Sequence, residues 1–181
     1  MKIKATNIEG VYIIKPTKFK DNRGTFFESF NKQIFQKKID SKVNFVQDNQ
    51  SLSYKGVLRG LHFQNPPYAQ AKLVSVIKGS VLDIVVDLRK ESKTFGKYIT
   101  EEINEYNNHQ LFIPVGMAHG FLTLEDNTIF RYKCSDFYNK ESEDSLLWND
   151  ISLNIKWPIS NPILSKKDGI AKKFTSFVSP F

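Results

Sequence analysis

His62 lies in Arg59-Gly60-Leu61-His62-Phe63-Gln64 and His119 in Ala118-His119-Gly120-Phe121; they are two of the three histidines in the chain. The ordinary imidazole pKa, about 6.5, lies close to neutral pH, so histidine is the side chain best suited to act as a general base there. A histidine, an arginine and an amide gathered in the first stretch suggest a polar pocket. The alternative is a core histidine satisfied by hydrogen bonds. If Leu61 and Phe63 share one face of a strand, Arg59 and Gln64 need not share the direction of His62 without a bulge, which Gly60 permits. Lys72 opens the apolar run Leu73–Ile77, and it either snorkels to the rim or aims a cation into the pocket. Tyr132, in Phe130-Arg131-Tyr132-Lys133, alternates with charged neighbours and points inward with Phe130. Such a phenol is a core residue or an acid. Asp168, in Ser165-Lys166-Lys167-Asp168-Gly169, is by default a helix cap or turn residue.

The elements that must carry these residues are mostly strands. Short runs with period-2 alternation and β-branched or aromatic enrichment cover Val11–Lys15, Thr25–Phe30, Val43–Gln47, Lys72–Ile77, Val81–Val86, His109–Ile113, Gly120–Leu124 and Thr128–Lys133. Gly, Asn, Asp or Pro punctuates them, and Lys78-Gly79-Ser80 reads as a tight hairpin. One helix is expected over Lys32–Ile39 with Asn31 as its N-cap, and the tail from Ser165 onward reads as short turns or helix. The fold class is therefore all-β with a few short helices, a sandwich or barrel, in one domain over residues 1–181. The blocks Gly56–Gly79 and Ile113–Phe121 have the spacing of paired hairpins and resemble those of a cupin-like double-stranded β-helix, or jelly-roll barrel. A metal-binding cupin carries His-x-His and a glutamate in its first block; here His62-Phe63-Gln64 is followed by no glutamate before Gly79. Two imidazoles fall short of the three or more ligands at about 2 Å that a transition metal takes. No metal is expected, and acid–base chemistry is.

Bulk properties narrow the partners. A chain of this length buries roughly 70% of its unfolded surface and needs no disulfide or metal as a staple. The single cysteine, Cys134, suits a reducing cytosol and is expected to be a small hydrophobe within a strand. No stretch approaches the ~20 apolar residues of a membrane span, so a soluble, cytoplasmic protein without a membrane partner is expected. The net charge of +7 is spread as lysine, with no dense basic run, and the only arginines are Arg23, Arg59, Arg89 and Arg131. That pattern argues for an anionic small molecule and against a nucleic-acid partner.

Longer stretches carry a stronger resemblance. Phe19-Lys20-Asp21-Asn22-Arg23-Gly24 with Glu28, Phe45-Val46-Gln47-Asp48-Asn49, Val57–Gln64, Gln70–Val74, Val86–Ser92, Ala118–Phe121, Tyr132-Lys133, Trp148-Asn149-Asp150, Trp157-Pro158 and Leu164–Asp168 resemble the dTDP-4-dehydrorhamnose 3,5-epimerase family, in order along nearly the whole chain. The resemblance implies a cofactor-free epimerase that inverts C3 and C5 of a dTDP-linked 4-keto-6-deoxyhexose. It implies His62 as base, Asp168 as the acceptor of its other N–H, Tyr132 as the acid on the opposite face and Lys72 as the stabiliser of the O4 oxyanion. It further implies Arg23, Arg59 and Lys167 as diphosphate contacts and Glu28, Gln47, Asn49, His119 and Glu143 as contacts to sugar or thymidine. Part of the site, near Arg23, comes in relatives from the neighbouring subunit, so a homodimer is implied. An epimerase of C3 alone, or of another nucleotide-linked 4-keto sugar, keeps the same His, Tyr and Lys. A cupin that only binds a sugar nucleotide is a further reading, and a metal-dependent cupin oxygenase the least favoured. His109 falls outside these stretches and reads as a surface-strand residue. The loop Asn65-Pro66-Pro67-Tyr68 could shape the pocket.

Overall fold

The computed structural model describes residues 1–181. Along the chain come β1 (Lys2–Ala5), β2 (Tyr12–Lys15), β3 (Lys18–Asp21), β4 (Gly24–Phe27), helix α1 (Lys32–Lys38), β5 (Gln47–Ser53) and β6 (Leu58–Gln64). They are followed by β7 (Lys72–Lys78), β8 (Ser80–Asp87), β9 (Tyr98–Asn104), β10 (Gln110–Ile113), β11 (Met117–Thr123), β12 (Thr128–Cys134), β13 (Glu143–Ser145) and the short helix α2 (Lys166–Gly169). Two antiparallel sheets face each other, one ordered β1-β2-β10-β7-β12-β5 and the other β13-β6-β11-β8-β9, with β3 and β4 forming a separate ribbon. This is the cupin-like, all-β architecture.

Apolar residues from both inner faces, among them Val74, Val76, Val81, Val85, Leu111, Ile113, Met117, Phe121 and Phe130, form one buried cluster between the sheets. Each such side chain contributes about 1.5–3 kcal/mol on burial. The outer face of the five-stranded sheet is covered by the C-terminal segment, where Leu153, Trp157, Phe174, Phe177 and Phe181 pack on Leu61, Phe63, Ile84 and Val86. Both faces of β8 are therefore buried, which explains its nearly unbroken apolar sequence. The outer face of the six-stranded sheet is capped by α1, whose Phe35 packs on Leu73 and Phe112 together with Phe30, Val43 and Phe45. Helix α1 starts where expected: the Asn31 side chain accepts from the Ile34 N–H.

Several boundaries differ from the sequence expectation. Val43–Phe45 is no strand; its apolar residues are lid packing beside α1, and the strand β5 begins at Gln47. The run from Thr25 stops pairing at Phe27. Lys78-Gly79-Ser80 is not a hairpin, because β7 and β8 belong to different sheets. Gly79, at φ +80°, turns the chain from one sheet to the other, and an added Cβ would lie 2.3 Å from Thr128 Oγ1. His109 is no open-surface residue: it precedes β10 half-buried, its Nδ1 2.8 Å from Glu101 Oε1.

Candidate active site

One end of the inter-sheet space is left polar and open. A cavity of about 350 Å³ there is lined by Asn49, Arg59, His62, Lys72, His119, Tyr132, Glu143, Lys167 and Asp168, with the stacked pair Phe121–Phe130 as its apolar wall. A smaller adjoining space of about 140 Å³ shares Asn49, His62, Lys72, Tyr132 and Glu143 and adds Gln47, Gln64 and Cys134. Nine of the twelve residues singled out from sequence thus meet in one cavity and Gln47 joins them next door. Arg23 and Glu28 do not. Arg23 sits in the exposed β3–β4 turn, paired with Asp21 at 2.6 Å. Glu28 accepts from Asn31 near the start of α1 and borders a different, mostly apolar hollow.

A bulge aligns the first motif. Opposite β11, His62 pairs with His119 and Arg59 with Phe121, so Gly60 and Leu61 together face the single residue Gly120. That extra residue restores parity: Arg59 and His62 point inward while Leu58, Leu61 and Phe63 point outward into the packing. Gly60, at φ +135°, would place a Cβ 2.5 Å from the Gly120 Cα, so no other residue fits this crossing. On the six-stranded sheet, Tyr132 pairs with Asn49 and Val74, and Cys134 with Lys72. His62 and Tyr132 therefore arise from facing sheets and line the same cavity.

The His62 Nε2 lies 2.6 Å from Asp168 Oδ1, and Asp168 is 3% exposed. Ser165 caps α2 by accepting from the Asp168 N–H, which fixes the carboxylate relative to β6. Burial pushes the Asp168 carboxyl up, but the hydrogen bond and charge of His62 and the Ser165 hydroxyl outweigh it and hold it below the usual carboxylate range. Burial pushes the Lys72 ammonium below the ordinary lysine value, against the pull of Asp83 and Glu143, and its Nζ stands 5.9 Å from the Tyr132 ring centre. Burial pushes the Tyr132 phenol up, so it stays protonated through neutral pH. At the mouth, Lys167 Nζ pairs with Glu143 Oε2 at 2.5 Å and the Tyr138 hydroxyl donates to the same oxygen at 2.8 Å. Burial raises Glu143, yet these two donors and the Lys167 charge bring it below the usual range.

Sequence reasoning missed Asp83. It is fully buried on β8 and both its oxygens lie within 3.1 Å of His119 Nε2. An aspartate within the apolar run of β8 was the available signal, since a buried carboxylate requires a partner. Burial pushes the Asp83 carboxyl up, opposed by His119 and Lys72. No three His, Cys, Asp or Glu side chains converge as a metal-ligand set.

A jelly-roll barrel whose polar end holds an imidazole–carboxylate pair, a half-buried ammonium and a half-buried phenol has the make-up of a cupin-type isomerase. The family model described as dTDP-4-dehydrorhamnose 3,5-epimerase matches residues 5–176. A relative of that name from Shigella flexneri is 51% identical over 174 residues, covering 96% of each chain. The crystal structure of a dTDP-4-dehydrorhamnose 3,5-epimerase from Elizabethkingia anophelis superposes with a TM-score of 0.93 at 48% identity, over 97% of both chains. A dTDP-6-deoxy-D-glucose-3,5-epimerase from Legionella pneumophila, solved in complex with dTDP-4-keto-L-rhamnose, gives a TM-score of 0.93 at 43% identity, over 98% of this chain and 94% of that one. The chain belongs to the dTDP-4-dehydrorhamnose 3,5-epimerase family and is an isomerase.

Proposed function

We propose that the protein inverts C3 and C5 of dTDP-4-keto-6-deoxy-D-glucose to give dTDP-4-keto-L-rhamnose, without a cofactor. The observation that carries this function is that His62 and Tyr132 come from facing sheets onto one cavity beside Lys72. The 4-keto group acidifies the C–H bonds on both neighbouring carbons, so one site beside one carbonyl serves both inversions. With Nε2–H donated to Asp168, the free lone pair of His62 is on Nδ1, which removes the proton. The electron pair of the broken C–H bond moves to O4, giving an enolate that the Lys72 ammonium stabilises. One preorganised donor of this kind is worth roughly 3–4 kcal/mol. Tyr132 then delivers its proton to carbon from the opposite face, and solvent restores the phenol and removes the proton from His62. Inversion at each carbon is complete when the two transfers use opposite faces.

Arg59 and Lys167 bind the diphosphate as a guanidinium fork and a point charge, and Gln47, Asn49, His119 and Glu143 contact sugar or thymidine. Arg23 and Glu28 complete the site of a second subunit in a homodimer; their distance from this chain's own cavity supports that assignment. A single domain working in the cytoplasm fits the lone, buried, free Cys134. No helix is long and apolar enough to cross a membrane. Neither a membrane nor a nucleic acid is assigned as a partner.

Proton NMR in deuterium oxide tests the function. Solvent deuterium at both C3 and C5 is expected with wild type and at neither carbon with His62→Ala. Label at C3 alone would replace the double inversion by a single one. Mixing Arg23→Ala with His62→Ala subunits tests the dimer: random reassortment restores about a quarter of the wild-type sites if Arg23 acts across the interface. No restoration would put Arg23 and His62 in the same subunit's site.

A further inference from the structure

Gln64 closes the motif that carries His62, yet its amide does not face the cavity as a free ligand. It is 5% exposed. Its Nε2 donates to the Tyr68 carbonyl at 2.6 Å and to the Phe137 carbonyl at 3.2 Å, while its Oε1 accepts from the Asn139 N–H at 2.7 Å. Two separate loops are thus tied to β6 by one side chain. The first is Asn65–Tyr68, the loop with two consecutive prolines. The second, residues 136–139, is also gripped on either side of Gln64: Gln70 Nε2 donates to the Asp136 carbonyl at 2.8 Å and Gln47 Oε1 accepts from the Tyr138 N–H at 2.9 Å. The three amides and Tyr138 line the smaller space that adjoins the main cavity. The gripped segment presents Tyr138, whose hydroxyl holds Glu143, which in turn holds Lys167.

We propose that Gln64 is a positioning residue for substrate recognition: its buried amide fixes segment 136–139 and so places the Tyr138 hydroxyl, which orients toward Lys167 the carboxylate of Glu143, a residue whose backbone is already paired with Gln64 across β13 and β6. The proposal rests on the epimerase function above. The physical reason is that loop backbone at a solvent-facing rim has few other anchors. A buried amide making three bonds to backbone holds it at little entropic cost once β6 is formed. His62, Lys72 and Tyr132 stand on paired strands and do not depend on this clamp. Loss of the clamp should therefore weaken binding of the nucleotide end while leaving the proton transfers largely intact.

The test is Gln64→Leu and Gln64→Glu in the full chain, with KM, kcat and the dissociation constant of dTDP measured across pH. Gln64→Leu is expected to raise KM and the dTDP dissociation constant at least tenfold and to change kcat less than about threefold. Gln64→Glu sets an ionised carboxylate against two carbonyl oxygens, so its KM is expected to fall as pH is lowered and the acid becomes a donor, a trend the wild type lacks. Unchanged KM and dTDP affinity in a folded Gln64→Leu variant would overturn the proposal, as would a kcat loss at constant KM. If Gln64→Leu does not fold, a pH-independent KM for Gln64→Glu decides against it. Failure of wild type to exchange deuterium would instead remove the epimerase function, whatever the Gln64 variants do.

Discussion

Replacing Asp168 by asparagine keeps the volume and removes the charge beside His62. When His62 takes a proton it becomes an imidazolium whose Nε2–H points at Asp168 Oδ1, 2.6 Å away. Charge centres about 4 Å apart in an effective dielectric of about 20 interact by about 4 kcal/mol. The His62 side chain is 30% exposed, and solvent screening lowers that figure to about 2–3 kcal/mol. The corresponding loss of rate is roughly 30- to 150-fold. A second effect has the same sign: the asparagine amide can donate to Nε2, which shifts the imidazole proton onto Nδ1, the atom that must act as base. Deuterium incorporation should therefore fall at least about 30-fold, equally at C3 and C5 because one base serves both. The assay is the initial rate of label entry by NMR, with dTDP affinity as the control for an intact site. Exchange within about threefold of wild type, or a loss confined to one carbon, would refute the dyad.

Tyr132→Phe should lower complete inversion by about 100-fold or more while deuterium still enters the substrate, because proton removal by His62 survives the loss of the opposite-face acid; equal loss of both would give Tyr132 another role. Lys72→Met should reduce kcat by about 100- to 1000-fold with a much smaller change in KM, since its ammonium acts on charge that exists only during enolisation; a pure KM effect would make it a ground-state contact. Asp87, fully buried and bound by Arg89, Ser92 and Thr94, has its carboxyl lowered from 3.8 to about 2, burial being outweighed by these hydrogen bonds. A depressed folded pKa gives stability that is full above the ordinary value and is lost as pH falls toward about 2. Thermal melts against pH should thus show Asp87→Asn below wild type at neutral pH and converging with it in acid; a gap that stays constant would rule out this source of acid sensitivity.

The recognisable parts of the fold were those whose sequence periodicity follows packing. β7, β8 and β12 carry apolar residues toward a core, and α1 has its cap and its buried Phe35 at helical spacing. β5 escaped recognition because its inner face, Gln47, Asn49, Ser51 and Ser53, is polar. Those residues serve the cavity or the Arg59 side chain and so break the hydrophobic alternation. The turn at Gly79 shows the same limit, since a tight turn between two strong strands looks alike whether it closes a hairpin or a corner between sheets.

Within the candidate site, the residue types were legible and their directions were not. Side-chain chemistry and motif order indicated a base, an acid, a cation and the family, because pKa and hydrogen-bonding capacity travel with the residue. Only the tertiary structure decided that the Gly60 bulge turns Arg59 and His62 the same way, that Asp168 reaches back across the sequence to His62, and that Asp83 stands behind His119. It also decided that Arg23 lies apart from its own chain's cavity. Each of these depends on which sheet a strand joins and on the parity of one inserted residue, quantities set by long-range pairing and invisible to local spacing.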